Sequence, residues 1–318
     1  MTTLERFVQN AHALARQWLG QAAQADADAE VMAGALTLHA GLAPARALVA
    51  GDESARGGCD PRAWQALARL DPDTAMLADT MGQRRPAWLW LVLHLHLAAM
   101  SAAAQPSSGA TPVPAGLLKR LSRWIGALRG DAERAQQGGA GLWAALLGVE
   151  AAALGGEHDL AAAAHELAQD LLDRPGRGGA LHPQQPEESL DGWIFAELIG
   201  LHALADLAAI ADPTRRARYS RRLIEAAGYH LEYTQPDNVT THPWGALAFA
   251  LDPVAWTLAE QQLHDTTFGI GNSPGASATA ALAPALLLAD IAHFGHLHLA
   301  GVFQSPYASH DAGEARHG

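Results

Sequence analysis

A pair of helices recurs about six times along this chain of 318 residues, and this repeat constrains the fold more than any other feature. The second helix of each pair follows a loop rich in Gly, Pro and Asp, residues that end one helix and start the next. These second helices are predicted to begin 36 to 61 residues apart, a spacing typical of repeat architectures. Their predicted first residues are Ala25, Pro86, Gly139, Glu187, Thr241 and Ser277.

The two helices of a pair differ in their pattern. Second helices such as 140–154 and 188–210 are apolar nearly all round, which is typical of inner helices buried on most sides. First helices such as 213–233 carry a charged face that predicts an outer position. The chain is 49% hydrophobic, dominated by Ala and Leu, and lacks period-two alternation, so we predict an all-α fold. The six pairs are expected to close into one ring.

The predicted ring is a single domain over residues 1–318, with an irregular tail from about residue 303. Its third pair joins helices at 115–128 and 140–154, and its fourth joins 158–172 and 188–210. The fifth pair joins 213–233 and 243–251. The weakest point of the single-domain prediction is the segment 105–114 (QPSSGATPVP), which has the composition of a surface loop.

This pattern of helices resembles the (α/α)6 toroids over essentially the whole chain, as an architecture and without a signature sequence. That group includes six-hairpin glycoside hydrolases, polysaccharide lyases, N-acylhexosamine epimerases and, with a related barrel, terpenoid cyclases. The resemblance implies an inner and an outer ring of six helices, with ligand bound at the rim where the inner helices begin. The positive ends of six helix dipoles at that rim agree with such a site.

The charge balance bears on possible partners. The chain has 33 Asp and Glu against 21 Lys and Arg, a formal net charge of −12. Nucleic-acid binding is therefore not expected, because phosphate contacts need clustered Lys and Arg and a basic balance. Five arginines do cluster at helical spacing, where they form either a solvated outer face or an anion site. They are Arg215, Arg216, Arg218, Arg221 and Arg222.

Cysteine use and hydropathy predict a location in the cytoplasm. Cys59 is the single cysteine, which rules out an internal disulfide and suits a reducing compartment. The first residues form a charged amphipathic helix rather than a signal peptide. The apolar run 87–100 is too short to cross a bilayer and contains His94 and His96, so no membrane partner is expected. The excess of Arg over the single Lys119 indicates a GC-rich bacterial genome.

The densest polar stretch, 181–193 (LHPQQPEESLDGW), leads into the fourth inner helix. Glu187 and Asp191 are four residues apart and share one helix face, although acidic residues at a helix start also serve as caps, as Ser189 or Glu188 can. Further along, Glu197 stands on an almost wholly apolar helix. It is expected to face the lumen with a pKa raised by desolvation, as a general acid requires, or to make a structural hydrogen bond.

A second polar stretch, 229–244 (YHLEYTQPDNVTTHPW), leads into the fifth inner helix. Asp237 and His242 would flank a substrate together with the first stretch, because consecutive inner-helix entrances are neighbours in a ring. The turn signal at 236–238 leaves a loop-shaping role open for Asp237 and Asn238. The two stretches are predicted to lie side by side at the largest concave pocket.

Several tryptophans fall in the first turns of the predicted inner helices. At that rim they would stack on the rings of a bound sugar, or alternatively fill the end of the barrel. The predicted ligand-binding residues are His182, Gln185, Trp193, Tyr233, Asn238, Trp244, Trp143 and Trp88. His293, His296 and His298 could share a metal ion, but no cysteine or acidic residue completes a ligand set at a known zinc spacing. Neither a metal nor a cofactor is predicted.

These observations predict acid/base chemistry on a sugar or sugar acid: hydrolysis, elimination or epimerisation. Hydrolysis would pair a carboxylate of the fourth inner helix with Asp237, whereas elimination or epimerisation would use a histidine or Tyr233 to take a proton. The predicted catalytic residues are Glu197, Asp191, Glu187, Asp237 and His242, with His182 as an alternative base. A non-catalytic ligand-binding or interaction toroid and an isoprenoid enzyme similar to terpenoid cyclases remain alternatives, and the sequence leaves a homo-oligomer open.

Overall fold

The computed structural model describes residues 115–131, 135 and 139–234, together with two short strands at 77–78 and 84–85. The strands, β1 (Leu77–Ala78) and β2 (Arg84–Arg85), pair antiparallel. Five helices follow in chain order: α1 (Ala115–Gly130), α2 (Ala140–Gly155), α3 (His158–Leu172), α4 (Leu190–Ile210) and α5 (Pro213–Tyr229). A 3-10 turn (Arg177–Gly179) lies between α3 and α4, and a π-helical turn (His230–Thr234) follows α5.

Residues 115–131 and 139–234 are helical, as the sequence predicts, and contain no strand. The predicted helices at 115–128, 140–154 and 158–172 are confirmed, with ends that differ by at most two residues from those of α1, α2 and α3. The predicted helix 188–210 is also confirmed, and the predicted 213–233 is divided between α5 and the π-helical turn. Residues 105–114 and 243–251, the first, second and sixth predicted pairs and the tail lie outside the described residues.

Helices α2 and α4 form the buried layer of this region. Twelve residues of α2 are buried, and α4 is buried continuously from Trp193 to Ala209. The two helices contact each other, and α2 also packs against α1 and α3. By contrast, α5 buries one face, with the buried residues Tyr219, Leu223, Ala226 and Ala227. The predicted difference between buried second helices and one-faced first helices is therefore present in these five helices.

Helix α4 is the one helix in the described part of the chain that is long and apolar enough to cross a membrane, judged by length and composition alone. Of the window that passes this test, 94% is buried inside the protein. A core helix must be apolar on all sides for the same reason as a lipid-facing one, since neither side offers water to polar groups. The burial of α4 accounts for its composition.

Polar groups define the ends of α4 and α5. Ser189 is the N-cap of α4, accepting a hydrogen bond from the Gly192 amide at 3.1 Å, as the sequence allows. Asp212 caps α5 and precedes Pro213 at the first helical position. The Arg216 guanidinium donates to three carbonyl oxygens at the end of α4, which have no partner within the helix.

The arginines of α5 mostly have protein partners. Besides Arg216, Arg222 donates to the carbonyl oxygen of Ala180 at 3.0 Å, in the loop that leads to α4. Two further arginines form salt bridges, Arg215 with Asp212 and Arg218 with Asp173. Of the two predicted readings, these contacts support an outer structural face rather than an anion site.

Candidate functional site

The carboxylate of Glu197 lies at the centre of a buried hydrogen-bond cluster. Its side chain is 0% exposed, and four donors converge on its two oxygens. The Leu181 amide donates to Oε2 at 2.6 Å and the His182 amide to Oε1 at 2.7 Å. The imidazole of His182 contacts Oε1 through Nδ1 at 2.6 Å, and that of His230 contacts Oε2 through Nε2 at 3.1 Å. We call Glu197, His182 and His230 the carboxylate cluster.

The pKa of Glu197 differs from the one predicted from the sequence. Burial pulls its pKa upward and is the largest single influence, but the side-chain hydrogen bonds of His182 and His230 and the positive charge carried by this pair of histidines together outweigh it. The net result is a pKa lowered to about 2. The predicted raised pKa is therefore wrong, and Glu197 is an ionised hydrogen-bond acceptor rather than a general acid.

Two residues of α4, Trp193 and Glu197, form hydrogen bonds with three polar groups of His182. Glu197 accepts from both its backbone amide and its Nδ1, and Trp193 Nε1 donates to its carbonyl oxygen at 3.1 Å. Trp193 and Glu197 are one turn apart on the same helix, so they face the loop together. Since an ionised carboxylate only accepts, the hydrogen of a neutral His182 ring resides on Nδ1 and the lone pair on Nε2. Nε2 has no hydrogen-bond partner among the described residues.

The loop that carries His182 folds tightly against itself. The Gly176 amide donates to the Ala180 carbonyl oxygen at 2.9 Å, which closes the 3-10 turn. A Cβ atom at Gly176 would lie 2.3 Å from the carbonyl oxygen of His182, which is backbone and has little room to move. Gly178, at φ 69°, has a left-handed backbone that favours glycine and lies against the Tyr229 ring. The loop is thus fitted closely to the cluster.

Gly176→Ala is expected to displace His182 and lower the free energy of unfolding by about 1–3 kcal/mol, the usual cost of overpacking. Urea unfolding followed by circular dichroism measures this loss. Gly116→Ala is the matched control, because a Cβ there meets no atom within 4 Å. Equal stability of the two variants would show that the loop does not depend on the close approach at Gly176.

His230 joins the end of α5 to the cluster. It is 0% exposed, and its Nδ1 lies 3.0 Å from the Thr234 hydroxyl oxygen within the π-helical turn. The Thr234 hydroxyl in turn donates to the His230 carbonyl oxygen at 3.1 Å. His230 and the two residues Leu181 and His182 thus share Glu197 as their acceptor, which links the start of the second polar stretch to the first. The rest of the second stretch, 235–244, lies outside the described residues.

Aromatic rings surround the cluster on the side of α5. The Trp193 ring centre lies 5.9 Å from that of His230 and 6.1 Å from that of Tyr229. Tyr229 also contacts Tyr233, with ring centres 5.2 Å apart. Tyr233 is 64% exposed, and its pKa is raised by a hydrogen bond to Glu232 and by the negative charge of that residue. Because the raised pKa leaves less of the phenol ionised near neutral pH, Tyr233 is disfavoured as a base.

A small cavity of about 20 Å³ adjoins His182. That volume can hold a water molecule, which needs roughly 10–15 Å³, but it is far below the roughly 300 Å³ of a small-molecule pocket. Glu197 does not line it. The lining residues are Ala135, Gly139, Leu142, Leu171, Leu172, Leu181, His182, Ala196 and Gly200.

The predicted site residues fall into distinct environments. Glu187 and Asp191 are exposed, at the loop and first turn before α4, whereas Glu197 is buried on the same helix. Gln185 is half-buried, and its backbone amide donates to a carboxylate oxygen of Glu188 at 3.4 Å. Trp143 is fully buried in α2, where it packs in the core. Of the predicted residues that the structure describes, His182 is hydrogen-bonded to both Glu197 and Trp193.

The remaining candidates lie outside the described residues. They are Trp88, Asp237, Asn238, His242, Trp244, His293, His296 and His298. Within residues 115–131 and 139–234, no group of three or more His, Cys, Asp or Glu side chains is arranged to hold a metal ion.

His230 is the cluster residue that sequence reasoning missed. It follows the end of the amphipathic helix α5, where a histidine is ordinarily a surface residue. A signal was nevertheless present. His230 is the second residue of the polar stretch 229–244, and a buried carboxylate on the neighbouring helix α4 requires partners from another element.

In comparisons with known proteins, no family model, curated protein or solved structure matches the chain.

Proposed function

We propose that the chain is an enzyme that takes a proton from a sugar or sugar acid, with His182 as the base and Glu197 as the group that orients it. The observation that carries this proposal is the 2.6 Å contact between Glu197 Oε1 and His182 Nδ1. A carboxylate on one imidazole nitrogen fixes the ring and its tautomer and leaves the other nitrogen free to accept a proton.

Elimination or epimerisation agrees with this geometry better than hydrolysis by two carboxylates. Hydrolysis would require one carboxyl group to be protonated near neutral pH, and the lowered pKa of Glu197 opposes that role. In the proposed step, His182 Nε2 takes the proton from the carbon next to the carboxyl group of the substrate. The electron pair left on that carbon then forms a double bond and expels the neighbouring oxygen group, which leaves as a hydroxyl compound with the proton that His182 Nε2 has taken. In epimerisation the same electron pair instead takes up a proton from water on the opposite face.

The proposed architecture is the closed ring of six helix pairs, in a cytoplasmic protein. The buried layer formed by α2 and α4 is what inner helices of such a ring would present. The proposed substrate would bind where α4 begins, with Asp237, His242 and Trp244 as further contacts from the fifth inner helix.

A non-catalytic binding or interaction protein is the second candidate, and one observation favours it. Glu197 is completely buried, its oxygens are occupied by four donors, and the cavity beside His182 is too small for a sugar ring. In this second candidate, the cluster has the purely structural role of fixing the loop against α4 and α5, because every oxygen of the carboxylate is already hydrogen-bonded.

His182→Asn separates the two candidates. The Asn amide nitrogen occupies the position of Nδ1 and can still donate to Glu197, while the free nitrogen is removed. We expect the full chain to incorporate solvent deuterium into a sugar acid, or to form an unsaturated or epimeric product, and the variant to lose this activity by about 100-fold or more. Nuclear magnetic resonance of a panel of sugars and sugar acids in heavy water measures all three outcomes.

His165→Asn is the matched control for this substitution. His165 is also a buried histidine that uses Nδ1, here in a 3.0 Å contact with the Tyr219 hydroxyl, and it stands on α3 outside the cluster. The His165→Asn variant should retain the activity of the wild type. Absence of exchange and product with the wild-type chain across the panel would contradict the catalytic proposal, as would equal activity of wild type and His182→Asn. Ligand binding without turnover would then favour the second candidate.

A further inference from the structure

The two histidines of the carboxylate cluster face different sets of acceptors. His230 has an acceptor at each ring nitrogen, Glu197 Oε2 at 3.1 Å and the Thr234 hydroxyl oxygen at 3.0 Å. His182 has the Glu197 carboxylate at Nδ1 and no partner at Nε2 among the described residues. The difference determines where the hydrogens of the cluster reside.

The Thr234 hydroxyl has a single hydrogen and two acceptors within reach, His230 Nδ1 at 3.0 Å and the His230 carbonyl oxygen at 3.1 Å. The carbonyl oxygen can only accept, whereas a ring nitrogen either donates or accepts. Both contacts are hydrogen bonds only when the hydroxyl donates to the carbonyl oxygen and accepts from Nδ1. Because an ionised carboxylate also only accepts, the Nε2 of His230 must donate to Glu197.

Charge balance limits the cluster to one doubly protonated histidine. The cluster is buried, and Glu197 supplies one negative charge, which offsets one positive charge. A second imidazolium would leave an uncompensated buried charge, which is strongly unfavourable. Among the described residues, the other polar contact of the two rings is that of His230 Nδ1 with the Thr234 hydroxyl, and the facing rings of Trp193 and Tyr229 bring no formal charge.

We infer that His230 is a positioning residue that carries both ring hydrogens, held so by Glu197 and Thr234, and that it thereby keeps His182 neutral with a free Nε2. The positions of the hydrogens do not depend on the proposed function. Only their consequence does, namely that His182 is available as a base. A buried imidazolium that neutralises the carboxylate removes the charge that would otherwise hold a second proton on His182. Thr234, which touches neither Glu197 nor His182 directly, sets the hydrogen positions of the ring.

The full chain with ¹⁵N-labelled histidine tests the assignment at neutral pH through long-range ¹H–¹⁵N spectra. The signals of His230 and His182 are identified by their loss in His230→Gln and His182→Asn. We expect His230 to show the pattern of a doubly protonated ring and His182 that of the neutral tautomer with hydrogen on Nδ1. A neutral His230, or a doubly protonated His182, would overturn the inference.

Thr234→Val and Thr234→Ser form a matched pair for the same measurement. Val keeps the shape but removes the acceptor at Nδ1, so His230 should lose its Nδ1 hydrogen and become neutral. Ser keeps the hydroxyl and should retain the wild-type pattern. An unchanged His230 in Thr234→Val would refute the role of Thr234. Turnover is not needed for these spectra, so a chain without activity on any sugar would contradict the proposed function and leave this inference standing.

Discussion

Glu197→Gln is expected to lower the free energy of unfolding by about 3–5 kcal/mol, the usual cost of removing one partner from a buried ionic cluster. Four donors converge on the carboxylate. A glutamine offers one acceptor oxygen and an amide nitrogen whose hydrogens would point at donors. At least one buried donor would therefore lose its partner, at full desolvation cost.

Urea unfolding of the full chain, followed by circular dichroism, measures this loss. Glu166→Gln is the control, with the same chemical change on α3. Its carboxylate pairs with Arg129 at 2.7 Å, and its side chain is 54% exposed. Exposed pairs contribute up to about 1 kcal/mol, so little change is expected there. Similar losses for both substitutions would contradict the central position of Glu197.

Acid is expected to weaken the fold through the same carboxylate. The pKa of Glu197 is lowered from 4.5 to about 2, so the ionised group contributes stability that is fully present above pH 4.5. This contribution is lost as the pH falls from 4.5 towards 2, because the unfolded chain takes up the proton first. A difference of 4.5 − 2, or 2.5 units, corresponds to about 3 kcal/mol.

Urea unfolding at a series of pH values between neutral and strongly acidic tests this dependence. The wild type and Glu166→Gln should lose stability in parallel over the stated interval, whereas Glu197→Gln should show a loss smaller by about 3 kcal/mol, because it has no proton to take up at this position. An identical pH dependence in Glu197→Gln would mean that the carboxylate has an ordinary pKa in the folded protein.

Local patterns were sufficient to predict the helices of the described region. The apolar runs of α2 and α4 and the one-sided pattern of α5 report burial directly, since each helix must hide its apolar surface. Ser189 was a predicted cap because its side chain acts on amides only three residues away. The closed ring is a property of all twelve predicted helices together, and it stays a prediction.

The electrostatics of Glu197 could not be read from its own helix. Its helical neighbours are apolar, so desolvation was the only visible influence and the predicted shift had the wrong sign. The compensating donors are the imidazole of His182, in the loop before the helix, and that of His230, which is 33 residues away in sequence. A loop folded back on a helix and the end of the next helix bring them together, and neither approach leaves a periodic pattern.

The ¹³C signal of the Glu197 side-chain carboxyl carbon, followed during acid titration of the full chain, tests the central claim most directly. The account predicts that this carbon keeps the chemical shift of an ionised carboxylate through the range around 4.5 in which an ordinary glutamate titrates, and changes only near the acid limit of the fold, towards about 2. The signal is assigned by its absence from Glu197→Gln. A Glu197 carboxyl group that is protonated above pH 4.5 would contradict the account, because an orienting anion for His182 would then be missing.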